Sequence, residues 1–194
     1  MIRRKGYAGL SENNEGEDLN WIDVSQYGAA GDGATDDTKA VQAAIDACAE
    51  NGGGTIGFKR GDYLCATIEL RDDIRLFLEP GARIAGVRDP GRYSADDNGF
   101  VDAVGAKRGQ TLVRAAGAQN VTIEGGGEID GRGGTDAFPG GGPRPMLLRF
   151  SECKNVTVRD ITLRDAAAWV QHYLRCDNVY LHNVRVHSYC NGNN

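Results

Sequence analysis

The apolar positions change period once along the chain. Val41, Ala44, Ile45 and Cys48 recur at helical spacing and fall on one face. Thr35 reads as the N-cap of this helix, with Asp36 and Asp37 in a first turn where the helix dipole favours negative charge. Asn51-Gly-Gly-Gly ends it, since these residues tolerate the left-handed conformation that closes helices. The expected helix therefore spans 38–50. The acidic run before it lacks calcium-loop spacing.

From Thr55 onward the pattern becomes short β runs. They are expected at 55–58, 67–70, 74–78, 83–85, 112–115, 121–124, 146–150, 156–158, 161–164, 170–174, 179–181 and 184–187. Gly, Asn, Asp or charged pairs separate them. Many short strands fit a sandwich, a barrel or a solenoid.

A repeat decides for the solenoid. Lys154-Asn-Val-Thr-Val-Arg-Asp-Ile-Thr-Leu-Arg-Asp aligns with Asp177-Asn-Val-Tyr-Leu-His-Asn-Val-Arg-Val-His-Ser at an offset of 23 residues. Gln119-Asn-Val-Thr-Ile is a third copy, 35 residues before Lys154, and Asp73-Ile-Arg-Leu is a degenerate fourth. Twenty-three residues make about one coil of a parallel β-helix, three short strands stacked ~4.8 Å above the last coil. The segments 87–110 and 125–145 are then expected as loops from coil corners.

Stacking predicts neighbours. Asn120, Asn155 and Asn178 should form an inward-facing amide ladder. Cys153 and Cys176, also 23 apart, should stack as small buried groups without a disulfide. Arg149, Arg159 and Arg164 fall one coil below His172, His182 and His187, the three histidines of the chain. A single outward Arg/His column would attract a polyanion, more strongly in mild acid. Solvated surface charge at positions that cannot be apolar accounts for the same column.

Composition adds a few limits. The 28 glycines against 5 prolines indicate many tight turns. The net charge of −5 argues against a general nucleic-acid binder. Residues 142–194 nevertheless carry seven Lys/Arg against four acids. No apolar run reaches the roughly 20 residues of a membrane span. The basic start, Met1-Ile-Arg-Arg-Lys, lacks the apolar stretch of a secretory signal, and residues 1–20 read as a loose leader. Five cysteines without zinc spacing fit reduced thiols, and cellular location stays open.

Several segments together resemble a known family. They are Asp23-Val-Ser-Gln-Tyr-Gly-Ala-Ala-Gly-Asp-Gly-Ala-Thr-Asp-Asp-Thr, Ala43-Ala-Ile-Asp-Ala-Cys, Gly52-Gly-Gly-Thr-Ile, Gly61-Asp-Tyr, Thr67-Ile-Glu-Leu and Leu78-Glu-Pro-Gly-Ala. Gly127-Glu-Ile-Asp-Gly, Arg144-Pro-Met-Leu-Leu-Arg-Phe, Trp169-Val-Gln-His and Asn191-Gly-Asn-Asn continue the set. In this order they resemble the polygalacturonases of glycoside hydrolase family 28, within the pectin-lyase-like superfamily, over residues 21–194.

The resemblance implies an all-β, right-handed parallel β-helix with an N-terminal capping helix. It implies hydrolysis of pectic α-1,4-galacturonan with inversion, by two carboxyl groups about 6.5–9.5 Å apart. The family's catalytic Asp residues have no counterpart here and are expected just after Asn194, so the chain reads as an N-terminal fragment, inactive alone. Trp169, His172, His187 and Asn193 are the expected substrate-binding residues. The expected partner is an anionic pectic polysaccharide, with no cofactor, metal, nucleic acid or membrane, and a monomeric full-length protein. A carbohydrate-binding β-helix without catalysis, or a polysaccharide lyase on the same fold, are the alternatives.

Overall fold

The computed structural model describes residues 20–96, 101, 102, 105, 108–140 and 142–190. The first elements are β1 (Trp21–Asp23), a 3-10 turn (Val24–Tyr27), β2 (Asp32–Asp36) and α1 (Thr38–Glu50). Then come β3 (Gly54–Phe58), β4 (Gly61–Cys65), β5 (Ile68–Glu69), β6 (Ile74–Leu78) and β7 (Ala82–Gly86). After a second 3-10 turn (Pro90–Arg92) follow β8 (Thr111–Ala116), β9 (Gln119–Glu124) and β10 (Glu128–Asp130). The last are β11 (Met146–Ser151), β12 (Lys154–Arg164), β13 (Gln171–Leu174) and β14 (Asp177–His187).

These strands pair in parallel, and the registers match the sequence repeat. Lys154 faces Asp177 and Arg164 faces His187, the 23-residue offset. Lys154 faces Gln119 on the other side, the 35-residue offset. One wall is the sheet β13-β11-β8-β5. The other two are one continuous path, because β12 pairs β9 along its first half and β10 along its second. The three walls form a right-handed parallel β-helix.

Alternation along each strand sends every second side chain inward. Ile56, Leu76, Ile123 and Val158 stack in register across four coils, each fully buried. Burying such a side chain contributes about 1.5–3 kcal/mol relative to leaving it exposed. A single coil offers only one side chain to each such column, so the core exists only once coils stack.

The corners need backbone that turns sharply. Gly53, Asp73, Asn120, Asn155 and Asn178 occupy one corner in five successive coils, with φ of 90°, 58°, 56°, 55° and 57°. Asparagine and aspartate tolerate this left-handed region better than other side chains. At Gly53 a Cβ would lie 2.5 Å from the Asp73 Cβ, so only glycine fits. The amides bond along the column: Asn120 donates to Asp73 at 2.7 Å, Asn155 to Asn120 at 2.8 Å, Asn178 to Asn155 at 3.1 Å. The expected ladder is present, but it faces solvent and not the interior. A left-handed corner residue turns its side chain away from the core.

Other expectations need correction. Helix α1 begins at Thr38, and Asp37 is its N-cap. Thr35 cannot cap, because its N–H and hydroxyl both go to the Asp32 carboxylate. Asp37 accepts instead from the Ala30 and Gly31 amides and pins the preceding loop. The expected pairs 156–158/161–164 and 179–181/184–187 are two unbroken strands, each bent at a left-handed residue, Asp160 or Asn183. Segment 125–145 is not wholly loop, since β10 lies within it and pairs β7 and β12. Helix α1 lays Val41, Ala44, Ile45 and Cys48 against the first coils, as its periodicity predicts. The leader, 1–19, lies outside the described residues.

The three Arg/His pairs sit in register, but they do not form one outward column. Arg149 is fully buried, whereas Arg159 and Arg164 are exposed and pair with Glu124 and with Glu128. The bend at Asp160 sends these two onto different walls.

Candidate functional site

The outer face of the four-stranded wall gathers the chemistry. Ile68, Val113, Leu148 and Phe150 point into the core. The alternate positions place Glu69, Arg114, Arg149 and His172 in one column, each in register with the next. All six residues of β11 are buried, so this wall is covered on both sides.

The lower half of the column is an ion-pair network. Arg114 Nη2 lies 2.8 Å from Glu69 Oε2, and Arg71 Nη1 lies 2.8 Å from Glu69 Oε1. Arg71 also reaches Asp46 on α1 at 3.1 Å. Burial pushes the Glu69 carboxyl up, but the bonds to Arg114 and Arg71 outweigh it, and the group titrates below its ordinary value. Gln42 of α1 closes the network, donating to the Glu69 carbonyl and accepting its N–H.

The upper half centres on Arg149. Its Nε lies 2.8 Å from Asp96 Oδ1, and the Ser151 hydroxyl donates to Asp96 Oδ2 at 3.0 Å. Its Nη1 lies 2.8 Å from His172 Nδ1. The Trp169 indole stacks on the His172 ring, with centroids 5.3 Å apart and planes 30° apart. Trp169 and His172 are both half-buried. Burial, then the Arg149 charge, push His172 below its ordinary pKa, while Asp96 acts in the opposite sense.

The structure thus brings two of the expected site residues together, Trp169 and His172. His187 lies elsewhere, exposed on β14 and in register with Arg164. Asn193 lies outside the described residues. Asp96, Arg114 and Glu69 are members of the column that the sequence pattern does not single out. Arg114 carries a signal, because it precedes Arg149 by the same 35 residues that separate Asn120 from Asn155. Asp96 carries none, since it comes from the segment after the second 3-10 turn, 53 residues before Arg149.

Two open grooves flank this wall and its neighbour. One, of about 660 Å³, runs beside the end of α1, where Asp46, Glu50, Asp72 and Asp73 outnumber Arg71. The other, of about 360 Å³, crosses Asp62, Arg83, Glu128 and Thr162. There Arg83 holds Asp62 through two bonds of 2.9 Å, and burial pushes the Glu128 carboxyl up. Among the described residues, no group of three His, Cys, Asp or Glu side chains is placed to hold a metal ion.

The model of the rhamnogalacturonase A/epimerase, pectate lyase-like family matches residues 21–194. A polygalacturonase of Persea americana is 29% identical over 85% of this chain and 35% of its own length. A mannuronan C5-epimerase of Azotobacter vinelandii is 35% identical over 52% of this chain and 5% of its own length. An exopolygalacturonase from Thermotoga maritima superposes with a TM-score of 0.79 at 22% identity, covering 92% of this chain and 49% of that one. The chain therefore spans about a third of the plant polygalacturonase and about half of the bacterial one.

Proposed function

The chain belongs to the rhamnogalacturonase A/epimerase, pectate lyase-like family, and we propose that it supplies the scaffold and one cleft wall of a glycoside hydrolase acting on pectic polysaccharide. The observation that carries this reading is the stack of Trp169 on His172 above a fully buried Arg149. Aromatic faces pack against the C–H faces of sugar rings, and a half-buried imidazole beside one supplies a polar contact. The Persea polygalacturonase, matched over most of this chain, supports the substrate class.

Inverting hydrolysis needs one protonated carboxyl group and one free carboxylate across the glycosidic bond. On this wall the carboxylates are already engaged: Glu69 by Arg114 and Arg71, Asp96 by Arg149 and Ser151. Neither is suited to give or take a proton. By resemblance to the family, the catalytic pair is assigned to carboxyl groups other than Glu69 and Asp96. Trp169 and His172 then line the sugar-binding cleft, while His187 serves a separate wall.

Reducing-end release from polygalacturonate tests the reading. The 194-residue chain alone is expected to release none. A protein that continues the β-helix beyond Asn194 is expected to release them, and to lose most activity on Trp169→Ala. Turnover by the chain alone overturns the assignment. The epimerase relative favours one other outcome, in which the longer protein inverts sugar C5 without cutting the chain. Proton NMR of the polymer separates the two.

A further inference from the structure

We propose that the groove across Glu128, Thr162 and Arg185 is a second binding site, taking one acidic sugar residue of a pectic chain on a wall away from Trp169 and His172. The sugar class rests on the carbohydrate reading above, whereas the negative charge rests on the groove.

One column of outward positions builds it. Asp62 faces Arg83, Arg83 faces Glu128, Glu128 faces Thr162 and Thr162 faces Arg185, one residue from each of five stacked strands. The space of about 360 Å³ over Arg83 and Glu128 meets one of about 140 Å³ beside Asn183 and Arg185. Gly126 and Thr162 line both, and the glycine adds no side chain to divide them.

The lower groups of the column are committed. Arg83 holds Asp62 through two bonds of 2.9 Å and reaches Asp130 at 3.4 Å. The upper three are not. Among the described residues, the Arg185 guanidinium has no ion pair or hydrogen bond, and the Thr162 hydroxyl has no hydrogen bond. Arg164 is the cation nearest to Glu128, at 3.6 Å, and burial pushes the Glu128 carboxyl up in spite of it. Asp160 also faces the groove, where Asn183 donates to its Oδ1 at 2.8 Å.

The column thus presents a carboxylate, a hydroxyl and a guanidinium in that order. Glu128 and Arg185 stand two strand spacings, about 10 Å, apart. A carboxylate accepts from neighbouring sugar hydroxyls, and a guanidinium takes a carboxylate through two parallel bonds. A uronic acid carries hydroxyls and carboxylate on opposite edges of one ring, so a single ring meets all three groups. A metal ion would face Arg185, a phosphate would face Glu128 and Asp160, and a neutral sugar would leave Arg185 unused. No aromatic ring lines the groove among the described residues, so it binds more weakly than the face at Trp169.

A 1H–15N titration of the labelled chain with a galacturonate trimer tests the site. The Thr162 and Arg185 amides should shift, at higher trimer concentrations than the Trp169 indole. Arg185→Gln, at an exposed and unpaired position, should weaken the groove about tenfold for the galacturonate trimer and leave a galactose trimer unaffected. Glu128→Gln should weaken both trimers there by about threefold or more. Neither change should move the Trp169 response. Shifts at Trp169 with none at Thr162 and Arg185 overturn the groove and leave the cleft reading standing. Shifts at Thr162 and Arg185 alone support the groove and overturn the cleft reading. Equal losses of the two trimers on Arg185→Gln, or no loss of either, overturn the assignment of an acidic sugar.

Discussion

Asn155 donates its side-chain amide to Asn120 Oδ1 at 2.8 Å, although 35 residues separate them. It accepts from Asn178 at 3.1 Å and holds a φ of 55°. Asn155→Ala removes both bonds and puts a Cβ-bearing residue without polar compensation in the left-handed region. A loss of about 2 kcal/mol is expected, near half of it conformational. Asn155→Gly should lose only about 1 kcal/mol, since glycine takes that φ freely. Urea midpoints of the two variants check this, and equal losses contradict it.

The ladder also shows how far a repeat can be read. Coils of equal length put chemically equivalent residues at a fixed offset, so Asn155/Asn178, Cys153/Cys176 and Arg149/His172 are legible as neighbours from the sequence alone. The direction of a side chain is not. It depends on whether the residue is on a strand, where alternation applies, or at a corner, where positive φ turns it outward. Arg149 and Arg159 share the same offset to a histidine yet differ in burial, because loop residues such as Asp96 cover only one of them. Strands β2 and β4 carry Asp32-Gly-Ala-Thr-Asp and Gly61-Asp-Tyr-Leu-Cys, too polar or glycine-rich to read as β runs. Pairing with neighbouring coils outweighs their composition.

Glu69 makes stability depend on acid. Its folded pKa lies below the ordinary carboxylate value, so its ion pairs stabilise the fold above the unfolded pKa. That contribution disappears as pH falls through the folded value. Glu69→Gln should therefore be less stable than wild type at pH 7, with a gap that closes below about pH 4. Urea unfolding of both proteins across this range measures it. A gap independent of pH contradicts the pairing with Arg114 and Arg71.

All five cysteines are free thiols, and Cys48, Cys65 and Cys153 are buried. Burial pushes Cys153 up to about 11 and Cys65 well above its ordinary value. At pH 8 these three should react with a thiol reagent only when the fold opens. Ellman titration should count five thiols in urea and fewer in the folded chain. Five fast equivalents without denaturant would contradict the packing.

Phe150 is fully buried and stacks on Tyr173 with ring planes 4° apart, centroids 5.4 Å apart. It joins two consecutive coils on the wall that carries Arg149. Phe150→Ala should cost about 3–5 kcal/mol and release the His172 column above it. Urea midpoints measure the loss, and a cost under about 1 kcal/mol would mean the wall does not depend on this stack.

The central claim is that the outer face at Trp169 and His172 binds sugar while the chain itself performs no cleavage. The most direct measurement is a 1H–15N titration of the labelled chain with a galacturonate oligomer. The Trp169 indole and His172 ring signals are expected to shift first and saturate together, with the oligomer intact at the end. Shifts confined to another wall, or a shortened oligomer, would contradict it.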